Sequence, residues 1–254
     1  MWGVLTVSYG SGMTWKPILM AIGGLVAFTL APAVAADAKD APKCFGRHAT
    51  IVGTAGDDRL VGLGDARDVI YGGGGDDYIL GGDFYEGGDA SDLLCGGPGA
   101  DRVIGSPGDD KLSGGRGQDH VDGGNGADLE LGNSGDDRVG KGSFADADSA
   151  DDITRGGPGN DLVIGGWGLD QLYGGRGADE VLDLECDGPT LLSGGPGNDY
   201  LESWSSSFDG YSDVCDYGIA DRVIGGDGTD AAKTDELDIV TSVESLTRVT
   251  QPNP

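Results

Sequence analysis

Large aliphatic residues recur along this chain one at a time, at a fixed interval, rather than in blocks. From Gly96 the sequence divides without a gap into GGPGADRVI, GSPGDDKLS, GGRGQDHVD, GGNGADLEL and GNSGDDRVG, ending at Gly140. The same frame of nine catches 53–61, 72–80, 87–95, 156–182, 194–202 and 225–233. Weaker copies cover 44–52, 63–71, 146–154, 185–193 and 216–224. Of these 18 units, 13 carry Gly at the fourth position and 16 carry Asp at the sixth. The eighth position is the apolar one, a large aliphatic in 16 units, from Ile51 and Leu60 to Leu201 and Val223. No helical period fits this spacing, and self-similarity at a constant interval marks a stacked repeat.

The chemistry of one unit says how it folds. Its glycines suit backbone that takes positive φ or passes close to another turn. Its last three residues form a minimal strand whose middle side chain points to one face. Stacked units therefore predict a continuous interior ladder of aliphatics. Glu130 falls on that ladder, which predicts a one-residue slip bringing Leu129 or Leu131 into its place. The unit at 146–154 has no Gly, so its register stays open by one residue. Segments 81–86, 141–145 and 203–215 break the phase and are expected to loop out. Residues 234–249 alternate well enough for capping strands, which an open roll needs at its end.

The pattern G-G-x-G-x-D-x-U-x, with U a large apolar residue, resembles the repeats-in-toxin (RTX), or hemolysin-type calcium-binding, family over nearly all of 44–233. The opening Cys44-Phe45-Gly46-Arg47-His48-Ala49-Thr50-Ile51-Val52 and the tail from Thr234 resemble a secreted bacterial subgroup built of repeats alone. The resemblance implies an all-β fold: a right-handed parallel β-roll, or β-helix solenoid, of about nine coils with a C-terminal β cap over 234–254. At ~4.8 Å per strand that roll is roughly 43 Å long.

The resemblance also implies multiple Ca²⁺ ions, each held between a turn and the turn one coil later. The earlier turn supplies carbonyls two and four, the later turn carbonyls one and three, and both supply the sixth-position Asp. On this chain one such site is Gly97, Gly99 and Asp101 with Gly114, Arg116 and Asp119. A neighbour is Gly88, Ala90 and Asp92 with Gly105, Pro107 and Asp110, and a third is Gly157, Gly159 and Asp161 with Gly174, Arg176 and Asp179. The remaining candidate carboxylates are Asp58, Asp68, Asp77, Asp128, Asp137, Asp170, Asp199, Asp221 and Asp230. Ala49 and Thr190 replace the Asp and predict weak or absent sites.

Composition agrees with hard-cation chemistry. The chain has 51 Gly, and its 44 acids against 16 bases give a formal charge of −28. Of those acids 37 are Asp and 7 are Glu, a bias toward short carboxylates held beside turning backbone. Calcium takes six to eight such oxygens. Zinc prefers Cys and His, and His48 and His120 are the only two histidines. Asp146-x-Asp148 does not open an EF-hand, because its sixth position is not Gly and Gly157 stands where the bidentate Glu belongs. Gly135 to Lys141 approaches a phosphate loop but lacks the Ser or Thr, and Asp136-Asp137 would repel phosphate. Nucleic acid is excluded as a partner for want of clustered bases. With no H-E-x-x-H or G-x-S-x-G, the chain reads as a non-enzyme.

Ile18 to Ala31 is an apolar run preceded by Lys16 and followed by Ala33-Val34-Ala35, the pattern of a signal peptide cleaved after Ala35, with translation starting at Met1 or Met13. The run is shorter than the ~20 residues of a membrane span, so no span is expected after cleavage. Residues 36–43 then form a linker, and the product is secreted. Cys44, Cys95, Cys186 and Cys215 allow three disulfide connectivities. Cys186 and Cys215 flank a single good unit and are the preferred pair, leaving Cys44 with Cys95 by elimination.

The leading functional expectation is a secreted calcium-binding repeat protein folded by its ions. The alternatives are an extracellular adhesion or interaction scaffold with an unknown partner, or an accessory domain of an exported enzyme. One feature favours a scaffold: on one side position seven reads Arg59, Tyr78, Arg102, His120 and Arg138, a cationic stripe on an acidic body. Charge compensation between neighbouring strands would explain it as well.

Overall fold

The computed structural model describes residues 41–63, 66–82, 90–141, 150–183, 188–203, 220–234 and 237–248. The leader and its cleavage site, Cys186, Cys215, and most of the three expected loops lie outside the described residues. So does the first part of the expected linker.

One two-residue hairpin, Lys43–Cys44 against Arg47–His48, is antiparallel. After it the chain alternates between two ten-stranded sheets in which all neighbours are parallel. The first sheet runs from Ile51–Val52 to Ile239–Thr241 and the second from Arg59–Val61 to Ser245–Arg248. Each strand pairs with the next strand but one, so two strands and two turns make a coil. This is a parallel β-roll. The strands from Ile51–Val52 to Ala231–Thr234 form nine coils, and Ile239–Thr241 and Ser245–Arg248 add one further rung to each sheet.

Many strands exceed the three residues that the repeat suggests. Lys111–Arg116 is six residues long because the first turn positions keep pairing, Gly97 with Gly115 and Pro98 with Arg116. The eighth positions lie in register as expected. In the second sheet Leu60, Ile79, Val103, Val121, Val139, Val163, Val181, Leu201 and Ala232 stack and are buried.

The first sheet differs from expectation at its centre. Glu130 does not slip: it pairs in register with Leu112 on one side and Thr154 on the other, and it is 2% exposed. The unit around 146–154 shifts by one residue, so Thr154 rather than Ile153 takes the ladder position and Asp152 the sixth. A buried polar rung therefore divides the apolar interior into two clusters, one from Leu60 to Val139 and one from Val163 to Ala232.

The cause lies one strand away. The first amides of comparable turns, Gly81 and Gly165, donate to the carbonyls of Ile104 and Leu182 one coil on. For Gly123 the corresponding residue is Gly140, where the strand ends with φ at 99°. Gly123 N–H donates instead to Glu130 Oε1 at 2.5 Å, and Thr154 Oγ1 donates to Oε2 at 2.7 Å. Glu130→Ala should thus orphan two donors and open a cavity, costing about 3 kcal/mol. Glu130→Gln keeps an acceptor for Gly123 and can donate to Thr154, so its loss should be small. Chemical denaturation at saturating calcium measures both.

The hairpin covers the outer face of the first sheet at its N-terminal end. Cys44 and Ala49 pack there on Val69 and Leu93, outward-facing positions that would otherwise expose apolar surface. Cys44 and Cys95 form a disulfide that ties the hairpin to the third strand of that sheet.

Candidate metal centre

The roll has two turn edges. Turns entering the second sheet keep their length: each of the nine, from 53–58 to 225–230, spans the same number of residues before its strand. Up to Thr234 all departures from the nine-residue phase fall in turns entering the first sheet; the final turn, between Ile239–Thr241 and Ser245–Arg248, is shorter. Asp58, Asp77, Asp101, Asp119, Asp137, Asp161, Asp179, Asp199 and Asp230 line the uniform edge. Asp68, Asp92, Asp110, Asp128, Asp170 and Asp221 line the other, together with two residues that the repeat did not single out, Asp152 and Asp238.

Along each edge the carboxylates form a bonded series. The amide of Asp101 donates to Asp119 Oδ1 at 2.8 Å, and the amide of Asp119 donates to Asp137 Oδ1 at 2.8 Å. Equivalent bonds join 58 to 77, 77 to 101, 137 to 161, 161 to 179, 179 to 199 and 199 to 230, making eight steps. On the other edge they join 68 to 92, 92 to 110, 110 to 128, 128 to 152, 152 to 170 and 221 to 238, making six. After the first Asp of each edge, one oxygen of each Asp is engaged this way, one coil back.

The other oxygen is the unusual one. Oδ2 is buried without a hydrogen-bond partner in Asp77, Asp101, Asp110, Asp119, Asp128, Asp137, Asp161, Asp179, Asp199 and Asp230. Buried polar atoms are ordinarily paired, and ten orphaned carboxylate oxygens in periodic array need an account. Their surroundings supply one. A Cβ built on Gly72 would lie 2.6 Å from the carbonyl oxygen of Gly96 and against Asp77 Oδ2. The same pair recurs at Gly96 with Asp101 Oδ2 and the Gly114 carbonyl, and at Gly174 with Asp179 Oδ2 and the Gly194 carbonyl. Carboxylate and carbonyl oxygens thus converge at a place that only Gly leaves open. Among the described residues no group of three or more His, Cys, Asp or Glu side chains gathers to hold a metal. Backbone carbonyls must complete any such set.

The residues of the expected ligand sets lie along these edges. Gly97 and Gly99 have positive φ, and their carbonyls point at the turn one coil on, at Gly115 and Gly117. The carbonyl of Arg116 accepts from Gly99 N–H at 2.8 Å and retains a second lone pair. Gly157, Gly159, Gly174 and Arg176 repeat this arrangement around Asp161 and Asp179. The set with Ala90, Asp92, Gly105, Pro107 and Asp110 differs. Gly88 lies outside the described residues, and Gly81 and Gly82 take the first two turn positions. Gly105 O and Asp92 Oδ2 meet beside Gly81, and Ser106 Oγ bonds Gly82 O at 3.1 Å. The strand ends at Leu80, so the first Gly-Gly pair after it opens the turn.

The ends and gaps of the series close differently. Asp58 Oδ2 accepts from Thr54 N and Oγ1, and Asp238 Oδ2 from Ser203 Oγ. Asp170, whose neighbour one coil on is Thr190, turns its Oδ2 to Gly166 N–H at 3.0 Å. Beyond Asp170 and Asp238, where no described carboxylate follows one coil on, the protein pairs the last one itself.

Electrostatics give the array its character. Burial raises the carboxyl pKa values despite the amide bond that each accepts, and neighbouring Asp raise them further. Asp77, Asp110, Asp119 and Asp161 rise to about 7, Asp92, Asp137 and Asp179 to about 6, and Asp128 to about 9. Asp101 and Asp199 shift the same way from the same first cause. An array so reluctant to be anionic is built for a counter-charge.

A family model of RTX calcium-binding nonapeptide repeats, four copies long, matches residues 47–66, 52–85, 96–130, 104–139 and 146–181. Residues 47–181 carry RTX calcium-binding repeats. No curated protein matches the chain. The RTX assignment and the orphaned oxygens meet at the same atoms: the Asp of the repeat is the residue whose Oδ2 lacks a partner. The donor set, backbone carbonyl and carboxylate oxygens, fits a hard divalent cation. The RTX array also continues past the matched residues, from Asp199 to Asp230 on one edge and from Asp221 to Asp238 on the other, where glycine-poor sequence hides the last rung.

Proposed function

We propose that the chain is a secreted protein whose RTX roll folds on binding calcium, with the leader 1–35 removed and no catalysis of its own. The observation that carries this reading is the series of buried Asp Oδ2 atoms facing carbonyls of the next coil. The ligand sets around Asp101–Asp119, Asp92–Asp110 and Asp161–Asp179 are its working units. Each Asp with two neighbours would serve two ions, Oδ2 toward the next coil and Oδ1 toward the previous one.

The bonded series has 8 + 6 = 14 steps with an Asp at both ends. One Ca²⁺ at each would bring 14 × 2 = 28 positive charges to a mature chain whose 44 acids and 15 bases give 15 − 44 = −29. Equilibrium dialysis or calorimetry should therefore count about 14 ions. Asp119→Ala should lower the count by about two, because the steps to Asp101 and Asp137 both lose a carboxylate. A count unchanged by that substitution overturns the shared-ligand arrangement.

A further inference from the structure

The outer face of the second sheet carries groups that the metal array does not use. Strand register sets Arg59, Tyr78, Arg102, His120 and Arg138 side by side on five consecutive strands. Their neighbours in sequence, Leu60, Ile79, Val103, Val121 and Val139, point into the core, so the five project outward. Adjacent strands lie ~4.8 Å apart, which puts an Arg every ~10 Å with a ring between. Arg59 stacks over Tyr78 with 4.5 Å from guanidinium carbon to ring centroid, which pre-orients its fork. Among the described residues, none of the three arginines forms an ion pair with a carboxylate. Close ion pairs therefore do not account for the stripe, and Asp122 acts electrostatically on His120 and Arg102 alone among its five members. Asp122 lies two residues beyond His120 on the same strand.

We propose that this face binds a linear polysaccharide carrying a carboxylate on every second sugar, with Arg59, Arg102 and Arg138 each taking one carboxylate. An extended chain of alternating acidic and neutral sugars repeats its charge at close to the interval of alternate strands. The guanidinium fork matches a carboxylate in two parallel hydrogen bonds, and Tyr78 and His120 offer ring surface to the sugars between. Duplex nucleic acid fits worse, since its charges fall every ~1.7 Å and three arginines would meet few of them. An anionic membrane calls for a cluster of bases rather than a spaced row.

This inference rests on the calcium reading. Each arginine directly follows a series carboxylate, as in Asp58-Arg59, Asp101-Arg102 and Asp137-Arg138. Without cations each Asp offsets its Arg. With an ion at every step the row becomes net positive, so the face attracts an anionic chain in the calcium-loaded roll alone.

The test titrates calcium-saturated protein with a hyaluronate decasaccharide, after circular dichroism has shown the calcium-induced β signal of every variant. Wild type should bind saturably, and Arg102→Gln at least about tenfold more weakly, as for loss of one bidentate guanidinium–carboxylate contact. The triple Arg59→Gln, Arg102→Gln, Arg138→Gln variant should not bind. Arg222→Gln, on the first sheet, should bind as wild type does. A triple variant that folds with calcium and still binds hyaluronate overturns the inference, as does a folded wild type that does not bind. Equal affinity for oligothymidylate or phosphatidylglycerol vesicles overturns the assignment to a sugar chain. A wild-type β signal indifferent to calcium would instead overturn the metal reading, and this one with it.

Discussion

Removing calcium should convert the roll into an expanded, largely disordered chain. Each nine-residue unit buries one ladder side chain, and the central rung buries Glu130 and Thr154 instead. A buried aliphatic contributes about 1.5–3 kcal/mol, whereas ordering one residue of backbone costs about 1–2. One side chain cannot order nine residues. The ion-free roll must also bury rows of carboxylates whose second oxygen has no partner, each an added penalty. Cation binding removes that penalty and joins two coils at once, so its free energy becomes folding free energy. Circular dichroism and small-angle scattering should show a cooperative gain of β signal and contraction as calcium is restored. Magnesium should be a poor substitute, because it demands shorter bonds and gives up its water reluctantly. A compact, β-rich chain in excess chelator would refute the account.

Acid should partly replace the metal. Without bound cations burial raises Asp77, Asp92, Asp110, Asp119, Asp128, Asp137, Asp161 and Asp179 from 3.8 to between about 6 and about 9, whereas in the unfolded chain they remain near 3.8. Between those values the folded state holds more protons, so its stability falls as pH rises and grows as pH falls. Metal-free protein dialysed from about pH 8 to about pH 5 should therefore gain β signal, each proton neutralising an Asp that calcium would otherwise pair. Calcium affinity should fall over the same window, because proton and ion compete for the same oxygens. Dialysed protein that stays disordered throughout this window would argue that charge neutralisation alone does not build the coils.

Much of this was legible because a nine-residue phase constrains every unit at once. The aliphatic ladder, the sixth-position Asp and the gap at Thr190 each follow from position within the unit. What stayed hidden depends on a neighbouring coil. Glu130 looks misplaced on the ladder until the strand at Arg138–Gly140 ends early and leaves Gly123 N–H in need of an acceptor. Gly81-Gly82 and Gly87-Gly88 suit the template equally, and the end of the strand at Leu80 chooses the first. Asp152 and Asp238 sit in stretches poor in glycine, so no local mark distinguishes them from solvent-facing acids. Val69 and Leu93 read as exposed strand positions, and the disulfide-tied hairpin that covers them comes from the far side of a turn.

The unequal edges separate two kinds of freedom in this chain. Along the uniform edge the sequence interval between successive carboxylates ranges from 18 to 31 residues, yet the bond between them stays within 2.8–2.9 Å. The extra residues are all taken up across the roll, in turns that enter the first sheet. Between Asp58 and Asp230 length is therefore a free variable on one border and a fixed one on the other. A peptide grafted after Gly82 or Lys141 enters where the chain already varies and should leave the eight-step array intact. The same peptide placed within 114–119 would part Gly114 from Asp119 and cut the array in two. Genetic drift in length, and deliberate display of foreign sequence, have one side of this molecule open to them.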